Sequence, residues 1–362
     1  MNFLAEIATG GMSLKKTETL EKRASIAALV SSEPPEGEDD RVRDYFFSSG
    51  VDEWYYNLKE CTFQSMFVPL GAEEASIILR NWAMCEDKRG TPTASIPDEL
   101  APLVALIDDL IVSNFNNSKF ENKVFIKLST RSPKDSSTIL QRAYNMYQDY
   151  LSTTPAEQRA TISLNDRLCK FSDFMIKASA VSSGTEAVAI MLDSLRVAED
   201  LKFAYAEGKE SKGDKISVVV RGWDPRITPA CEFRGFVWDG EMTCIGQYWH
   251  HLHFPELKEI KEQIAEELLE FYNSKLKANM PVPCAMLDLA YVGPGEVLLV
   301  EVNPLTDGLG SFPGSTGLFD YEEDVLRGKL PFELRLVERE ADKHVLLNVM
   351  NPEWRAVLNE EV

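Results

Sequence analysis

Asp288, Glu301 and Asn303 are the residues of this chain best placed to do chemistry. They lie in Cys284-Ala-Met-Leu-Asp-Leu-Ala-Tyr-Val-Gly-Pro-Gly-Glu-Val-Leu-Leu-Val-Glu-Val-Asn303, two apolar runs of β type around a Gly-Pro-Gly turn signal. A hairpin centred between Pro294 and Gly295 sets Asp288 directly opposite Glu301. Period-two geometry then puts Asn303 on the face of Glu301. Facing carboxylates repel and weaken a sheet, so the pattern makes sense around a cation. Two carboxylates and an amide oxygen are hard ligands, suited to a Mg²⁺ ion that also holds a nucleotide phosphate. The same residues read equally as solvent-facing acids on an amphipathic hairpin, since a slip of one residue undoes the pairing.

Basic segments precede that hairpin. Lys127-Leu-Ser-Thr-Arg-Ser-Pro-Lys-Asp135 takes an apolar strand into a polar loop with three cations, two of them Lys127 and Lys134. Lysine and arginine donate to phosphate, and loop amides can add to the cradle; a solvated turn is the plain alternative. Phe174-Met-Ile-Lys177 reads as an apolar strand ending in a lysine that either snorkels or reaches a ligand. Arg221 follows the buried run Ile216–Val220. Glu232 and Arg234 share one face of a strand, as a surface ion pair or as the polar floor of a pocket. No Walker pattern occurs. Cations followed by an acidic hairpin suit an ATP site, with lysines on phosphate and carboxylates on magnesium.

The elements that must position these residues alternate irregularly. Helices are expected over 99–117, 138–151, 185–207 and 256–277. The third has Thr185 as its cap and Gly208 as its stop; the fourth buries Leu257, Ile260, Ile264, Leu268 and Phe271. Strands are expected at Lys123–Leu128 and Ile216–Val220, with a hairpin over 231–249 turning at Asp239-Gly240 and setting Glu232 opposite Gln247. Hairpins rather than strict βαβ alternation predict an α+β fold with antiparallel sheets. Residues 1–45, centred on Glu33-Pro-Pro-Glu-Gly-Glu-Asp-Asp40, read as a flexible acidic arm.

A net charge of −20 excludes broad nucleic-acid binding, makes nucleotidyl transfer to RNA unattractive and allows a basic protein partner. Any phosphate ligand must then be held by a local basic pocket. No apolar run is long enough to span a membrane, and the N-terminus lacks the order of a signal peptide. Six scattered cysteines without a CxxC pair read as reduced thiols of a cytoplasmic protein. Trp-His-His-Leu-His253 reads as a loop or aromatic corner before a metal site.

Taken in order, Trp54-Tyr55, Phe63, Lys127-Leu-x-x-x-x-Pro-Lys-Asp135, Phe171-Ser-Asp-Phe-Met-Ile-Lys177, Val220-Arg-Gly-Trp223, Glu232-Phe-Arg-Gly-Phe-Val237, Ile245-Gly-Gln247, Asp288 and Glu301-Val-Asn-Pro304 resemble the cell-division-cycle protein 123 family. The resemblance covers about residues 50–325. It implies an ATP-grasp fold over 46–328, with lobes of roughly 50–210 and 211–328 holding ATP·Mg²⁺ between sheets; the tail over 329–362, like the N-terminal arm, has no counterpart in the family pattern. It implies phosphate contacts from Lys127 and Lys177, a cleft lined by Arg221, Glu232 and Arg234, and Mg²⁺ on Asp288, Glu301 and Asn303. Eukaryotic members are assembly factors for translation initiation factor 2 that bind its gamma subunit, which makes that subunit the expected partner.

The chain departs from the family pattern. Glu301 stands where aspartate is usual, the loop Leu305–Leu318 is longer, and a short 86–98 loop replaces a long acidic insert. Two function classes follow: an ATP-bound assembly chaperone, or an ATP-grasp ligase that forms an acyl phosphate and then an amide, with loop 305–318 closing its pocket. The fold alone does not choose between them.

Overall fold

The structure is a computed structural model and describes residues 47–85, 95–205, 216–304, 316–349 and 354–355. The acidic arm over 1–45, most of loop 86–98, Gly208 and most of loop 305–318 lie outside the described residues.

In chain order the main elements are α1 (Val51–Leu58), β1 (Ser65–Pro69), α2 (Ala72–Cys85), α3 (Ala101–Asn114), β2 (Val124–Leu128), α4 (Ser137–Thr153), α5 (Leu164–Ala178), β3 (Ala180–Val181), α6 (Gly184–Leu192) and α7 (Leu195–Ala204). There follow β4 (Ser217–Gly222), β5 (Glu232–Trp238), β6 (Glu241–Gln247), α8 (Lys261–Phe271), β7 (Ala285–Gly293), β8 (Glu296–Pro304), β9 (Glu333–Arg335) and α9 (Lys343–Val349).

Two sheets result. One has the order β1-β4-β2-β3, the other β8-β7-β5-β6-β9. Neighbours pair antiparallel except β6 with β9, which run parallel. The fold is therefore α+β, as expected. β4 is buried along its whole length, which its β-branched run dictates for an inner strand. It pairs with β1 and β2, so it belongs to the first sheet although it follows the expected lobe boundary at 211. The expected tail is also built in: β9 extends the second sheet, and α9 packs on α5. Among the described residues no helix is long and apolar enough to cross a membrane.

Three expected elements need correction. Residues 185–207 form two helices, α6 and α7, broken at Asp193-Ser194. The Asp193 carboxylate is taken by the start of α4, accepting from the Ser136 hydroxyl, from Thr138 N at 2.9 Å and from Thr138 Oγ1 at 2.7 Å. The caps are then Ser183, accepting from Glu186 N at 3.2 Å, and Ser194, accepting from Val197 N at 3.2 Å, rather than Thr185. Phe174-Met-Ile-Lys177 is no strand but the end of α5, whose buried Leu164, Leu168, Phe171, Phe174 and Ala178 repeat every three to four residues. Residues 256–277 begin as a 3₁₀ turn, become α8 and end in a π turn over Tyr272–Leu276. Ile260 points outward, while Ile264, Leu268, Tyr272 and Leu276 are buried. That constant spacing of four drifts off the face of a regular helix, and the wider π turn brings it back.

Candidate functional site

A cavity of about 260 Å³ opens between the two sheets. Lys127 from β2, Arg221 from β4, Glu232 from β5 and Glu301 from β8 all reach its wall, with Lys134 and Asp224 from the adjoining loops. Much of the remaining lining is apolar or aromatic, including Phe63, Met175, Ile176, Trp223 and Trp249.

The acidic hairpin has the expected register at its chemistry. Asp288 faces Glu301, and Met286 faces Asn303. It gets there by two irregularities, one between Asp288 and Leu289 and one between Tyr291 and Gly293. The first leaves Val300 as an extra residue on β8, the second Val292 on β7, and the two cancel. The Val300 bulge is held from the other sheet. Arg221 donates through Nη1 to Val300 O at 2.8 Å and through Nη2 to Thr62 Oγ1 at 2.7 Å, while Thr62 donates to Leu299 O at 2.6 Å. Arg221 is thus a brace that fixes where Glu301 points, and its guanidinium also packs over Phe63, 4.9 Å from the ring centre. Burial pulls Arg221 down to about 10, with Glu301 opposing.

The facing carboxylates are already neutralised. Arg234 donates to Asp288 through Nε at 2.8 Å and Nη2 at 3.1 Å, a bidentate pair. Lys127, with 1% of its side chain exposed, is hydrogen-bonded to Glu301 at 10%. Asn303 Nδ2 donates to Asp288 Oδ2 at 3.3 Å. Burial drives both members of the Lys127–Glu301 pair toward neutrality. Lys127, Lys134 and Arg196 together outweigh burial at Glu301 and hold its carboxyl well below the usual range, while burial, with Arg221 and Lys134, pulls the Lys127 ammonium below its usual value against the opposing Glu301. Two carboxylates and a carboxamide fit a hard divalent ion. The guanidinium and ammonium groups show that the carboxylates accept positive charge in this position. Asp288, Arg234 and Asn303 stand outside the cavity wall itself; Arg234 stacks 4.8 Å from the ring centre of Tyr248, which is part of that wall.

The basic loop after β2 divides its cations. Arg131 turns away from the cavity and ties the loop to α7, donating to Asp200 Oδ1 at 2.6 Å and Glu199 Oε2 at 3.1 Å. Asp135 accepts from Ser194 Oγ at 2.6 Å and Arg196 N at 3.1 Å, anchoring the other end. Lys134 stays at the cavity, donating to Tyr248 Oη at 3.2 Å. Although Lys134 is exposed along its length, its crowded ammonium is pulled down by burial; Tyr248, Glu232, Glu301 and Asp288 outweigh that and raise it. Glu232 accepts from Trp249 Nε1 at 2.7 Å, and burial raises its carboxyl against Lys134.

Lys177 does not join the others. On α5 it is 40% exposed and bonds Asp173 Oδ2 at 2.7 Å, while Met175, Ile176 and Ser179 of the same segment line the cavity. A lysine at the end of a strand would have pointed in; one helical step past Ile176 points out. Glu232 is also one residue out of its expected register, because Phe233 faces Gln247. The histidine cluster is the aromatic corner. Burial and the neighbouring His250 hold His251 down at about 4, and among the described residues no three His, Cys, Asp or Glu groups form a metal set.

With this geometry in view, comparison with known proteins is informative. The D123 family profile matches residues 172–356, just over half of the chain. The chain belongs to the D123 family. The relatives include the translation initiation factor eIF2 assembly protein of Dictyostelium discoideum, 25% identical over 190 residues, covering 52% of this chain and 40% of that protein. The protein of the same description from Xenopus laevis is 27% identical over 122 residues, 33% of this chain and 34% of its own length. The match therefore spans less than half of either relative. Among solved structures, Cdc123 from Schizosaccharomyces pombe superposes with a TM-score of 0.55 at 16% identity, over 82% of this chain and 98% of that one. Its C-terminally truncated form gives 0.53 at 17% identity over the same shares. At such identity the likeness is one of fold, and that fold is ATP-grasp-like.

The D123 match reaches past residue 328, and so does the site. Trp354 lines the cavity and packs edge-on to Phe171 at 5.0 Å between ring centres. It also stacks with Trp249 at 6.2 Å. Sequence reading left it in the tail, for want of any local pattern linking it to a residue more than a hundred positions earlier. Thr62 and Tyr248 were missed for the same reason. In this D123 member only a hydroxyl facing the other sheet makes Thr62 part of the site.

Proposed function

We propose that this D123 member is an ATP·Mg²⁺-binding assembly factor for translation initiation factor eIF2, acting through the gamma subunit. The observation that supports it is the meeting, across two sheets, of phosphate-type donors with a hard-oxygen donor set, Lys127, Lys134 and Glu301 in the wall of one cavity and Arg234, Asp288 and Asn303 behind it. Lys127, Lys134 and Arg234 are the donors that would hold the phosphates. Asp288, Glu301 and Asn303 would hold the Mg²⁺, whose contribution is to neutralise phosphate charge. Arg221 and Glu232 line the cleft, Arg221 as the brace described above. The apolar and aromatic lining suits the base of the nucleotide. The partner is supported by the eIF2 assembly proteins among the relatives and by an acidic chain that favours a basic docking surface.

Two measurements test the reading. Millimolar ATP·Mg²⁺ should raise the melting temperature, since a ligand at a hundredfold excess over Kd adds about 2.7 kcal/mol to stability. No shift, with no calorimetric heat, overturns ATP binding. A pull-down from a eukaryotic lysate should recover the eIF2 gamma subunit at low salt and less of it at high salt. Intact ATP binding with no gamma subunit at either salt, together with ATP turnover by the protein alone, would instead support the ligase alternative.

A further inference from the structure

The last residue of the cavity wall in chain order is Trp354, carried by the segment after α9. Its ring sits between two others. Phe171 meets it edge-on at 5.0 Å between ring centres, and Trp249 stacks with it at 6.2 Å. Those two rings come from opposite sides of the cavity. Phe171 is buried on α5, which packs on β3 of the first sheet and brings Met175 and Ile176 to the cavity wall one turn later. Trp249 follows β6 of the second sheet and donates through Nε1 to the buried Glu232 of the cavity wall at 2.7 Å. Nearby, Asn165 of α5 joins the same two sides, accepting from His253 N at 2.8 Å and donating to His253 O at 3.0 Å. Arg355 ties the segment back to α9, donating to Asn348 O at 3.3 Å, and α9 itself packs on α5.

We propose that the segment after α9 is a working part of the cavity, in which the seating of Trp354 and the occupation of the cavity favour each other. This rests on the nucleotide reading above and adds to it a part of the chain that senses the ligand. A ring wedged between Phe171 and Trp249 fits only while those two keep their separation, and that separation follows how the two sides of the cavity stand apart. A ligand that engages Lys127 on the first sheet and Glu232 on the second fixes the spacing, and so holds the wedge. Removing the wedge opens one side of the cavity. It also frees Trp249 from the stack that steadies its N–H on Glu232, so Trp354 is a positioning residue for that carboxylate. Thermodynamic linkage makes the effect reciprocal: the ligand seats the segment by the factor by which the seated segment tightens the ligand.

The test uses the full chain, with ATP·Mg²⁺ as the probe. Hydrogen exchange at Trp354, Arg355 and α9 should slow by about fivefold or more when the probe is saturating, and by more than at α2, which contributes nothing to the cavity wall. By calorimetry, Trp354→Ala should weaken ATP·Mg²⁺ by about fivefold or more, and Trp354→Phe should restore most of the affinity, since a smaller ring still fills the stack. If Trp354→Ala fails to fold, exchange in the unaltered protein decides. Equal affinity in the alanine variant, or exchange slowed no more at Trp354 and α9 than at α2, overturns the linkage and leaves nucleotide binding standing. No binding of ATP·Mg²⁺ to the unaltered protein overturns the nucleotide reading and the linkage together.

Discussion

The two hairpins of the second sheet make an instructive pair. Both turn where the sequence says. Asp239 and Gly240 have φ of 50° and 78°, the type I′ pattern, and Pro294-Gly295 turns with φ of 76° at Gly295, the residue pattern of a type II turn. Counting outward from the turns gives the right cross-strand partners in one hairpin and the wrong ones in the other. In β5–β6 a single irregularity between Phe236 and Val237 leaves Thr243 as an extra residue, and everything beyond it shifts by one. In β7–β8 two irregularities on opposite strands cancel, so Asp288 meets Glu301 as simple counting requires. The bulges answer to other parts of the molecule. Thr243 donates to Phe236 O at 3.2 Å and to Leu326 O at 2.9 Å, and the Val300 carbonyl is held by Arg221. Turn chemistry is local, whereas register at a distance is set by what the bulged residues can bond.

The largest expected effect breaks the second hairpin at its paired acids. On sequence grounds alone, removing one of two facing carboxylates would relieve repulsion. With Arg234 bound to Asp288 the sign reverses. Asp288→Ala should lose about 3–5 kcal/mol in urea unfolding, because it takes the bidentate carboxylate from a largely buried guanidinium. It should also abolish metal-dependent nucleotide binding. A variant as stable as the parent would show that the pair is without consequence.

A carboxylate without such a partner sharpens the contrast. Asp52, in the first turn of α1, is pushed up to about 6 by burial, against its hydrogen bonds to its own backbone and Ser129 and against Lys127. Its unfolded value is about 3.8, so the folded state binds more protons between those limits. Stability should therefore fall as pH rises from about 4 to about 6 and stay lower above that. Asp52→Asn should flatten the fall, a difference of about 1–3 kcal/mol at pH 7. Denaturant melts across that range measure it, and an unchanged profile would refute it.

The turns themselves should be equivalent. Gly240→Ala and Gly295→Ala each place a side chain in the left-handed region with open space around it, so each should cost about 1–2 kcal/mol by strain alone. A much larger loss in one hairpin would mean that its register depends on its turn. The smallest effect is expected at the bulge of the first hairpin. Thr243→Val keeps the shape and loses the hydroxyl, at about 1 kcal/mol. Hydrogen exchange should then quicken at β6 and leave β7–β8 protected.

The acidic hairpin, the buried strand β4, the α+β class and the convergence of Lys127, Arg221, Glu232 and Glu301 were legible in residue order, since each rests on a strand period, a turn residue or a charge at a strand end. Lys177 was misplaced because Phe174–Ile176 is apolar enough to pass for a strand, and only the packing of Phe171 and Phe174 chose the helical period. Loop 127–135 carries three cations that suit phosphate or a solvated turn, yet Arg131 is committed to Asp200 and Glu199, acids nearly seventy residues later. The break between α6 and α7 was invisible because the partners of Asp193 lie at the start of another helix. Sequence by itself determined which side chains carry charge and which strand faces they occupy, because the two-residue repeat of a strand is a property of its own backbone. Only the tertiary structure decided which charges are paired, which bulges persist and which lysine faces the cavity. Those depend on bonds across 50 to 240 positions of chain, where the energy of a contact resides in the fold and not in any local stretch.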